Sequence, residues 1–247
     1  MAAAFGWGLL AASSLVIGAV LAIVFDIRLR LIGLIMGFGS GVLISAVAFD
    51  LVEEAVNTGS GHAAVVAGIF AGCGVFFLGD TLIDRLGGAE RKSARGAQEA
   101  SSPLAIVLGT VLDGIPESMV IGLTIFQGGA VGAAYLAAVF ISNLPEAISS
   151  TAGLKTSGWR TRPILALWSA IALLSGISSL AGYGLFQDAS PNTVAFVLTF
   201  AAGAILTMLA DTVMPEAYEY EGRLVGVVTT LGFVVAFTIH TLDRAAP

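Results

Sequence analysis

The stretch Val111-Leu-Asp-Gly-Ile-Pro-Glu-Ser-Met-Val120 lies inside an apolar run that extends from residue 103 to residue 126. Its two acids, Asp113 and Glu117, are four residues apart, so both would lie on one face of a helix. Pro116 stands between them and would free the backbone carbonyl of Leu112, because a proline has no amide hydrogen to donate. A carboxylate buried in lipid is costly and usually faces a protein interior or a water-filled path. The stretch therefore predicts oxygen ligands inside a membrane helix.

A second apolar run carries a related motif, Ile141-Ser-Asn-Leu-Pro-Glu-Ala147. At 1.5 Å per residue, the polar groups of both motifs would lie about 15–24 Å into their helices, near the middle of a roughly 30 Å hydrocarbon core. Antiparallel neighbours joined by a short turn at residues 127–129 would bring the motifs face to face. We therefore expect one shell of oxygen ligands with these members: Asp113, Glu117, Ser142, Asn143 and Glu146.

The composition is that of an integral membrane protein. Of 247 residues, 57% are hydrophobic and 11% are charged, whereas a soluble domain is about 25% charged. The one cysteine, Cys73, excludes an intramolecular disulfide and a multi-cysteine metal site. The sequence has no basic patch for nucleic acid and no His-Glu-x-x-His or Gly-x-Gly-Asp motif of an intramembrane protease. The chain is therefore not expected to be an enzyme or to bind nucleic acid.

Eight apolar runs are long enough to cross a bilayer, which takes about 20 residues. They predict an all-α polytopic protein, a single transmembrane domain over residues 1–247, with helices at about 4–24, 31–55, 63–83, 103–126, 130–154, 163–186, 193–214 and 222–241. Of 11 basic residues, only Arg244 lies outside the loops that follow helices one, three, five and seven. Since Lys and Arg collect in cytoplasmic loops, both termini should be extracytoplasmic and the loop at 84–102 cytoplasmic. A plain linker is favoured for that loop over a regulatory segment.

Helices two and seven share a sequence pattern. Residues 41–55 align without a gap with residues 203–217. The two helices should cross the membrane in opposite directions, because one has an even and the other an odd place in the chain. Inverted repeats around a site at mid-depth are typical of transporters. The acids of these helices mark a possible pathway for cations, and both histidines are expected at the outer surface: Asp50, Glu54, Asp211 and Glu216, with His62 and His240.

No Lys or Arg lies in the middle of an apolar run to neutralise the acids of the two motifs. Three carboxylates in a low dielectric cannot all stay ionised without a cation. Either protons or a metal must accompany them. Oxygen ligands suit harder divalent ions such as Mn²⁺ or Fe²⁺, while Zn²⁺ usually gains from His or Cys. The rival structural interpretation is that protonated acids merely pack a kinked pair of helices.

The two motifs resemble those of the ZIP (Zrt/Irt-like) family of divalent metal transporters. The family typically has His-Asn-x-Pro-Glu-Gly in helix four and His-(Asn/Asp)-x-Pro-Glu-Gly in helix five. This chain has Asp-Gly-Ile-Pro-Glu-Ser at 113–118 and Ser-Asn-Leu-Pro-Glu-Ala at 142–147. The resemblance implies a centre for one or two ions, with Glu117, Glu146 and Asn143 as ligands and Asp113 in place of a histidine. It further implies an elevator-like or rocking motion of helices one, four, five and six against helices two, three, seven and eight.

The predicted function is that of a carrier that moves a divalent metal cation of the zinc, iron or manganese class into the cytoplasm. The metal is the substrate, and no prosthetic group is expected. The absence of both family histidines leaves open which metal is carried and whether the centre holds one ion or two. Two other classes stay open: a proton-coupled carrier of another solute that uses the same acids, and a non-transporting metal sensor. The expected location is a cell membrane, the inner membrane of a prokaryote, with lipid and metal cations as partners and a homodimer as a possible assembly.

Overall fold

The computed structural model describes residues 1–59, 61–88, 103–126 and 133–245. These residues form helices and no strands, which confirms the predicted all-α fold. Most of the loop at 84–102 and the turn at 127–129 lie outside the described residues. The described residues build eight helices, numbered in chain order: α1 (Ala2–Val24), α2 (Leu29–Thr58), α3 (His62–Ile83), α4 (Pro103–Phe126), α5 (Ala133–Thr156), α6 (Thr161–Leu185), α7 (Pro191–Glu221) and α8 (Leu224–Ala245).

The helix boundaries follow the predicted ones closely, with one exception. α7 continues to Glu221 rather than ending near residue 214. Hydropathy marks the end of an apolar run, but the acidic turn that follows Met214 stays helical. The extension keeps Glu216 inside the helix, in agreement with the alignment of residues 203–217 with residues 41–55.

Seven of the eight helices are long and apolar enough to span a membrane in the described part of the chain, and α5 is the exception. From residue 135 to residue 155, however, no side chain of α5 is exposed. By contrast, only 22% of the apolar window of α3 and 17% of that of α8 are buried. α5 is therefore a central helix whose polar groups meet other helices instead of lipid, which is where such groups are tolerated.

The helices pack in two groups. In the first bundle, α1 packs against α5 and α6, and α4 packs against α6. In the second bundle, α2 packs against α8, α3 packs against α7, and α2 and α7 join the two pairs. The bundles meet mainly through α2 and α5, and further through α4 with α7 and α5 with α8. This division has the same members as the two moving groups that the family resemblance implies.

Glycines bring α2 and α8 into backbone contact. A Cβ on Gly41 would lie 1.8 Å from the carbonyl oxygen of Thr229, and a Cβ on Gly232 would lie 2.1 Å from the carbonyl oxygen of Phe38. Neither position has room for a side chain. Small residues at such crossings are a general means of helix association in membranes, where lipid offers no hydrophobic driving force.

The crossing of α7 with α3 repeats that contact. A Cβ on Gly203 would lie 2.0 Å from the carbonyl oxygen of Ile69, and a Cβ on Gly72 would lie 1.9 Å from the carbonyl oxygen of Phe200. The register is that of the alignment between residues 41–55 and 203–217. The two crossings are therefore equivalent, and the repeat in sequence is also a repeat in packing.

α2 and α7 also pack against each other and run antiparallel, as predicted. Where α2 begins and α7 ends, a Cβ on Gly33 would lie 2.8 Å from the Cβ of Tyr220; where α2 ends, Gly59 lies against the start of α7. Each helix contains a π-helical segment, Val47–Glu53 in α2 and Leu209–Val213 in α7. The two segments begin at aligned positions, and such segments are frequent at functional sites.

Candidate cation site

A small cavity lies where the two bundles meet, between α2, α4, α5 and α7. Its volume of about 20 Å³ leaves room for about one water molecule or one bare ion. Apolar walls come from Met36, Leu43 and Met208, and no Lys, Arg or His lines the cavity in the described residues. The polar side chains of the lining are Ser40, Glu117, Ser142, Glu146, Ser149 and Glu216.

α4 brings Glu117 to the cavity from the first bundle. Glu117 is 2% exposed and Asp113, one turn earlier, is 5% exposed. Pro116 lies inside the helix, as its sequence position requires. Next to Asp113, Gly114 faces α6, since a Cβ there would lie 3.7 Å from Ser175 Oγ. The structure thus places Glu117 on the cavity and Asp113 in the packed interior beside it, outside the lining.

α5 brings Ser142 and Glu146 to the opposite wall of the cavity. The Ser142 hydroxyl donates to the backbone carbonyl three residues earlier at 3.0 Å. Asn143 is buried and is not part of the lining. α1 covers this part of α5 closely, because a Cβ on Gly18 would lie 2.6 Å from the carbonyl oxygen of Leu144.

The expectation that the two motif helices pack against each other as neighbours is wrong for the described ranges. α4 packs on α6 instead, where a Cβ on Gly122 would lie 1.8 Å from the carbonyl oxygen of Ser179. α5 packs on α1 and α2. A hydrogen bond still connects α4 with α5, since the Tyr135 hydroxyl donates to the carbonyl oxygen of Glu117 at 3.3 Å. The two Pro-Glu motifs share a cavity without sharing a helix interface.

A third carboxylate of the cavity, Glu216, comes from α7 in the second bundle. Ser149 Oγ donates to Glu216 Oε1 at 3.2 Å, and the hydroxyl of Tyr220, one turn later on α7, donates to the same oxygen. Glu216 was predicted as a pathway residue, and the structure places it in the wall of the cavity. The sequence could have identified Glu216 as a residue of the site, because Pro215-Glu216 is the same dipeptide that marks the motifs of α4 and α5.

The other acids assigned to the pathway lie outside the lining of the cavity. Asp50 Oδ1 lies 2.7 Å from His240 Nδ1 at the contact of α2 with α8. Glu54 Oε1 accepts a hydrogen bond from Thr58 at 3.2 Å, within its own helix. Asp211 is exposed. These three acids are therefore not part of the cation site that the structure outlines.

His240 is not the surface residue that the sequence analysis expected. It is 9% exposed, and its ring centroid lies 5.5 Å from that of Phe49, which also packs on Phe237. The last turns of α8 still pack on α2, so a residue near the end of the chain is enclosed. His62, at the start of α3, is exposed as expected.

Tyr135 is a buried residue of α5 that lies near both Glu117 and Asp50. It is 3% exposed and is close enough to both Glu117 and Asp50 to interact with their charges. Polar groups therefore continue from the cavity towards the end of α2. Sequence reasoning missed this residue, because a tyrosine near a helix end is usually an aromatic anchor at the membrane interface.

In the described residues, no three His, Cys, Asp or Glu side chains are close enough to hold a metal ion together. The cavity instead presents carboxylates from three helices, with serine hydroxyls between them. Ionised carboxylates only accept hydrogen bonds, and they are the preferred ligands of harder divalent cations. This arrangement can hold a small cation when the carboxylates of the two bundles approach each other.

The sequence is similar to that of a named plant protein. Over 189 residues, or 76% of this chain, the sequence is 29% identical to an Arabidopsis thaliana protein named "Putative zinc transporter". The chain spans 30% of the length of that protein. No protein-family model matches the chain. The likeness and the apolar helices agree in indicating an integral membrane protein.

Proposed function

We propose that this protein is a membrane carrier of divalent metal cations that binds its substrate in the cavity between the two bundles. The observation that carries the proposal is that Glu117, Glu146 and Glu216 line a cavity of about 20 Å³ whose described lining has no basic side chain. Buried carboxylates are stable only with positive partners or protons. A cation that enters and leaves the cavity meets this need and makes the protein a transporter.

The metal belongs to the zinc, iron or manganese class. Carboxylate and hydroxyl oxygens favour Mn²⁺ or Fe²⁺, whereas the name of the Arabidopsis relative supports transport of zinc. Glu117 and Glu146 act as ligands from the first bundle, and Ser142 supplies a weaker oxygen. Asp113 and Asn143, buried beside these ligands, complete the shell when the helices move. Uptake of Mn²⁺, Fe²⁺ and Zn²⁺, measured with one preparation of the reconstituted protein, decides which of the three metals is the substrate.

The two bundles supply the movement that a carrier needs. The cavity lies on their interface, so a displacement of one bundle against the other would open it. Within each bundle the glycine crossings hold the helices together, while the helix pairs that join the two bundles make less extensive contacts. Import into the cytoplasm, the extracytoplasmic termini, the prokaryotic cell membrane and the homodimer stay predictions of the sequence.

Uptake into proteoliposomes tests the proposal. The full chain is reconstituted, and entry of Mn²⁺, Fe²⁺ and Zn²⁺ is measured by mass spectrometry of the washed vesicles. Glu117→Ala and Glu146→Ala should each abolish uptake. Glu53→Ala is the matched control, because Glu53 pairs with Arg244 outside the cavity, and it should retain uptake. Metal entry at the wild-type rate in both cavity variants would overturn the proposal.

A proton-coupled carrier of another solute is the second candidate. The Asp50–His240 pair and Tyr135 favour it, because they place titratable groups next to the cavity. Such groups in membrane helices commonly serve as proton relays. Proton flux that accompanies an organic solute, in vesicles stripped of metal with a chelator, would select this candidate over metal transport.

A further inference from the structure

The carboxylate of Glu216 connects the two bundles. It belongs to α7 of the second bundle, and its Oε1 atom accepts a hydrogen bond from Ser149 of α5 in the first bundle. Tyr220, on α7 itself, donates to the same atom. Ser149 is completely buried and Tyr220 is 7% exposed. Glu216 is therefore held by two buried hydroxyls on one oxygen, at the wall of the cavity where the proposed substrate would bind.

Hydroxyl donors and a metal cation use the same feature of a carboxylate. Both interact with the oxygen lone pairs, and a hydrogen bond to an ionised carboxylate is about twice as strong as one between neutral groups. A cation that binds through Oε1 would therefore displace or weaken the hydrogen bonds to that atom. One of these bonds is the Ser149–Glu216 contact between the bundles.

We propose that Ser149 and Tyr220 are positioning residues that compete with the cation for Glu216, and that cation binding releases the Ser149–Glu216 contact between the bundles. The inference rests on the proposed function. Without a cation, the two bundles are tied at the cavity wall. With a cation, Glu216 becomes a ligand and the tie is broken. Substrate binding thereby changes how strongly the two bundles hold each other.

Titration calorimetry of Mn²⁺ binding to the full chain in detergent tests the competition. The test is whether the affinity rises or falls when a hydroxyl donor is removed. Ser149→Ala and Tyr220→Phe each remove a competing donor, so each should bind Mn²⁺ about two- to tenfold more tightly than the wild type. Ser150→Ala is the matched control. Ser150 is also a buried serine of α5 and is not part of the cavity lining, so this variant should bind as the wild type does.

Several outcomes are decisive. Binding by Ser149→Ala that is equal to or weaker than wild type would overturn the competition, and weaker binding would mean that Ser149 supports metal binding, as a ligand or by orienting Glu216. In either case a wild type that takes up Mn²⁺ would leave the proposed function standing. A wild type that neither binds nor transports any of the three metals would overturn both proposals. Weaker binding by Glu216→Gln, together with tighter binding by Ser149→Ala, is the pattern that the inference requires.

A cross-linking rate measures the tie between the bundles without any metal. A Cβ on Gly39 of α2 would lie 3.4 Å from the Cα of Ser142 in α5, which is within reach of a disulfide. Gly39→Cys and Ser142→Cys are combined with Cys73→Ser and oxidised with diamide. Adding Ser149→Ala should slow the cross-link severalfold, and adding Ser150→Ala should not. Equal rates in these two variants would show that Ser149 does not tie the bundles.

Discussion

Glu54 in α2 and Glu216 in α7 occupy aligned positions of the inverted repeat, but their surroundings differ. Glu216 lines the cavity and accepts a hydrogen bond from Ser149 of the other bundle. Glu54 lies outside the lining and accepts one from Thr58 of its own helix. The glycine crossings earlier in the two helices are equivalent. The repeat therefore fixes where the backbones cross, while individual side chains decide which of the two carboxylates belongs to the cation site.

The far ends of the two crossings differ in the same way. The crossing of α2 with α8 ends in the Asp50–His240 pair. In the same register, α7 has Thr212 at the position of Asp50, and α3 has Asp80 at the position of His240. The two crossings therefore share their backbone packing but differ in the polar residues at their ends. This asymmetry can be tested at four levels, from backbone contact to a single local hydrogen bond.

The backbone crossing should respond most strongly. Gly203→Ala should lower the free energy of unfolding by about 3 kcal/mol, because overpacking of a close contact costs about that much. Gly41→Ala should cost a similar amount, since the two crossings are equivalent. Thermal unfolding in detergent measures both. Gly74→Ala is the control, because no atom of the described residues lies within 4 Å of a Cβ at that position of α3, and stability close to wild type is expected there. A Gly203→Ala protein as stable as Gly74→Ala would contradict the close contact, and clearly different losses in Gly203→Ala and Gly41→Ala would contradict the equivalence.

The aligned carboxylates should differ in transport. Glu216→Gln should lower the initial rate of metal uptake by about tenfold or more, equivalent to roughly 1.4 kcal/mol, because the cavity loses a charged ligand. Glu54→Gln should change the rate less than about twofold, since Glu54 hydrogen-bonds outside the lining of the cavity. Uptake into proteoliposomes at a subsaturating metal concentration measures both. Equal losses in the two variants would mean that both halves of the repeat contribute to the site.

Loss of the hydrogen bond between Asp50 and His240 should have a smaller effect, and only on the free energy of unfolding. His240→Phe keeps an aromatic ring beside Phe49 but removes the hydrogen bond to Asp50. The expected cost is about 1 kcal/mol, seen as a fall of a few degrees in the midpoint of thermal unfolding. His62→Phe changes an exposed histidine and should leave the midpoint unchanged. A similar fall of the midpoint in both variants would indicate a general effect of exchanging an imidazole for a phenyl ring.

The smallest effect is expected from the local bond of Glu54. Thr58→Ala removes the hydroxyl that donates to Glu54, near the exposed end of α2. Because substitutions at such positions usually change stability by less than about 0.5 kcal/mol, neither the unfolding midpoint nor the rate of metal uptake should move measurably. A loss of uptake in Thr58→Ala would mean that Glu54 takes part in transport.

Much of the fold could be predicted from sequence because its causes are local. The eight apolar runs follow from the thickness of the bilayer, and the alignment of helices two and seven rests on side chains read directly from the chain. The Pro-Glu dipeptides also marked Glu117 and Glu146, which share the cavity. The prediction was weakest where a polar turn continues a helix, as at the end of α7.

The remaining features depend on which helices approach each other, and hydropathy does not report that. Gly18 draws α1 onto α5 and Gly122 draws α4 onto α6, so the two motif helices are separated. The enclosure of His240 and the placement of Tyr135 follow from the same packing. The close packing of α2 could be predicted in part. Its glycines at every fourth position, at 33, 37 and 41, indicate a close helix interface.

The shielding of α5 also bears on how the protein is made. The described part of this helix has no exposed side chain from residue 135 to residue 155, and it does not reach the hydropathy of a spanning segment. A segment of that polarity gains little when it partitions into lipid alone. Its insertion during synthesis must then draw on association with α1, α2 and α6, which makes membrane integration and tertiary folding of α5 a single event.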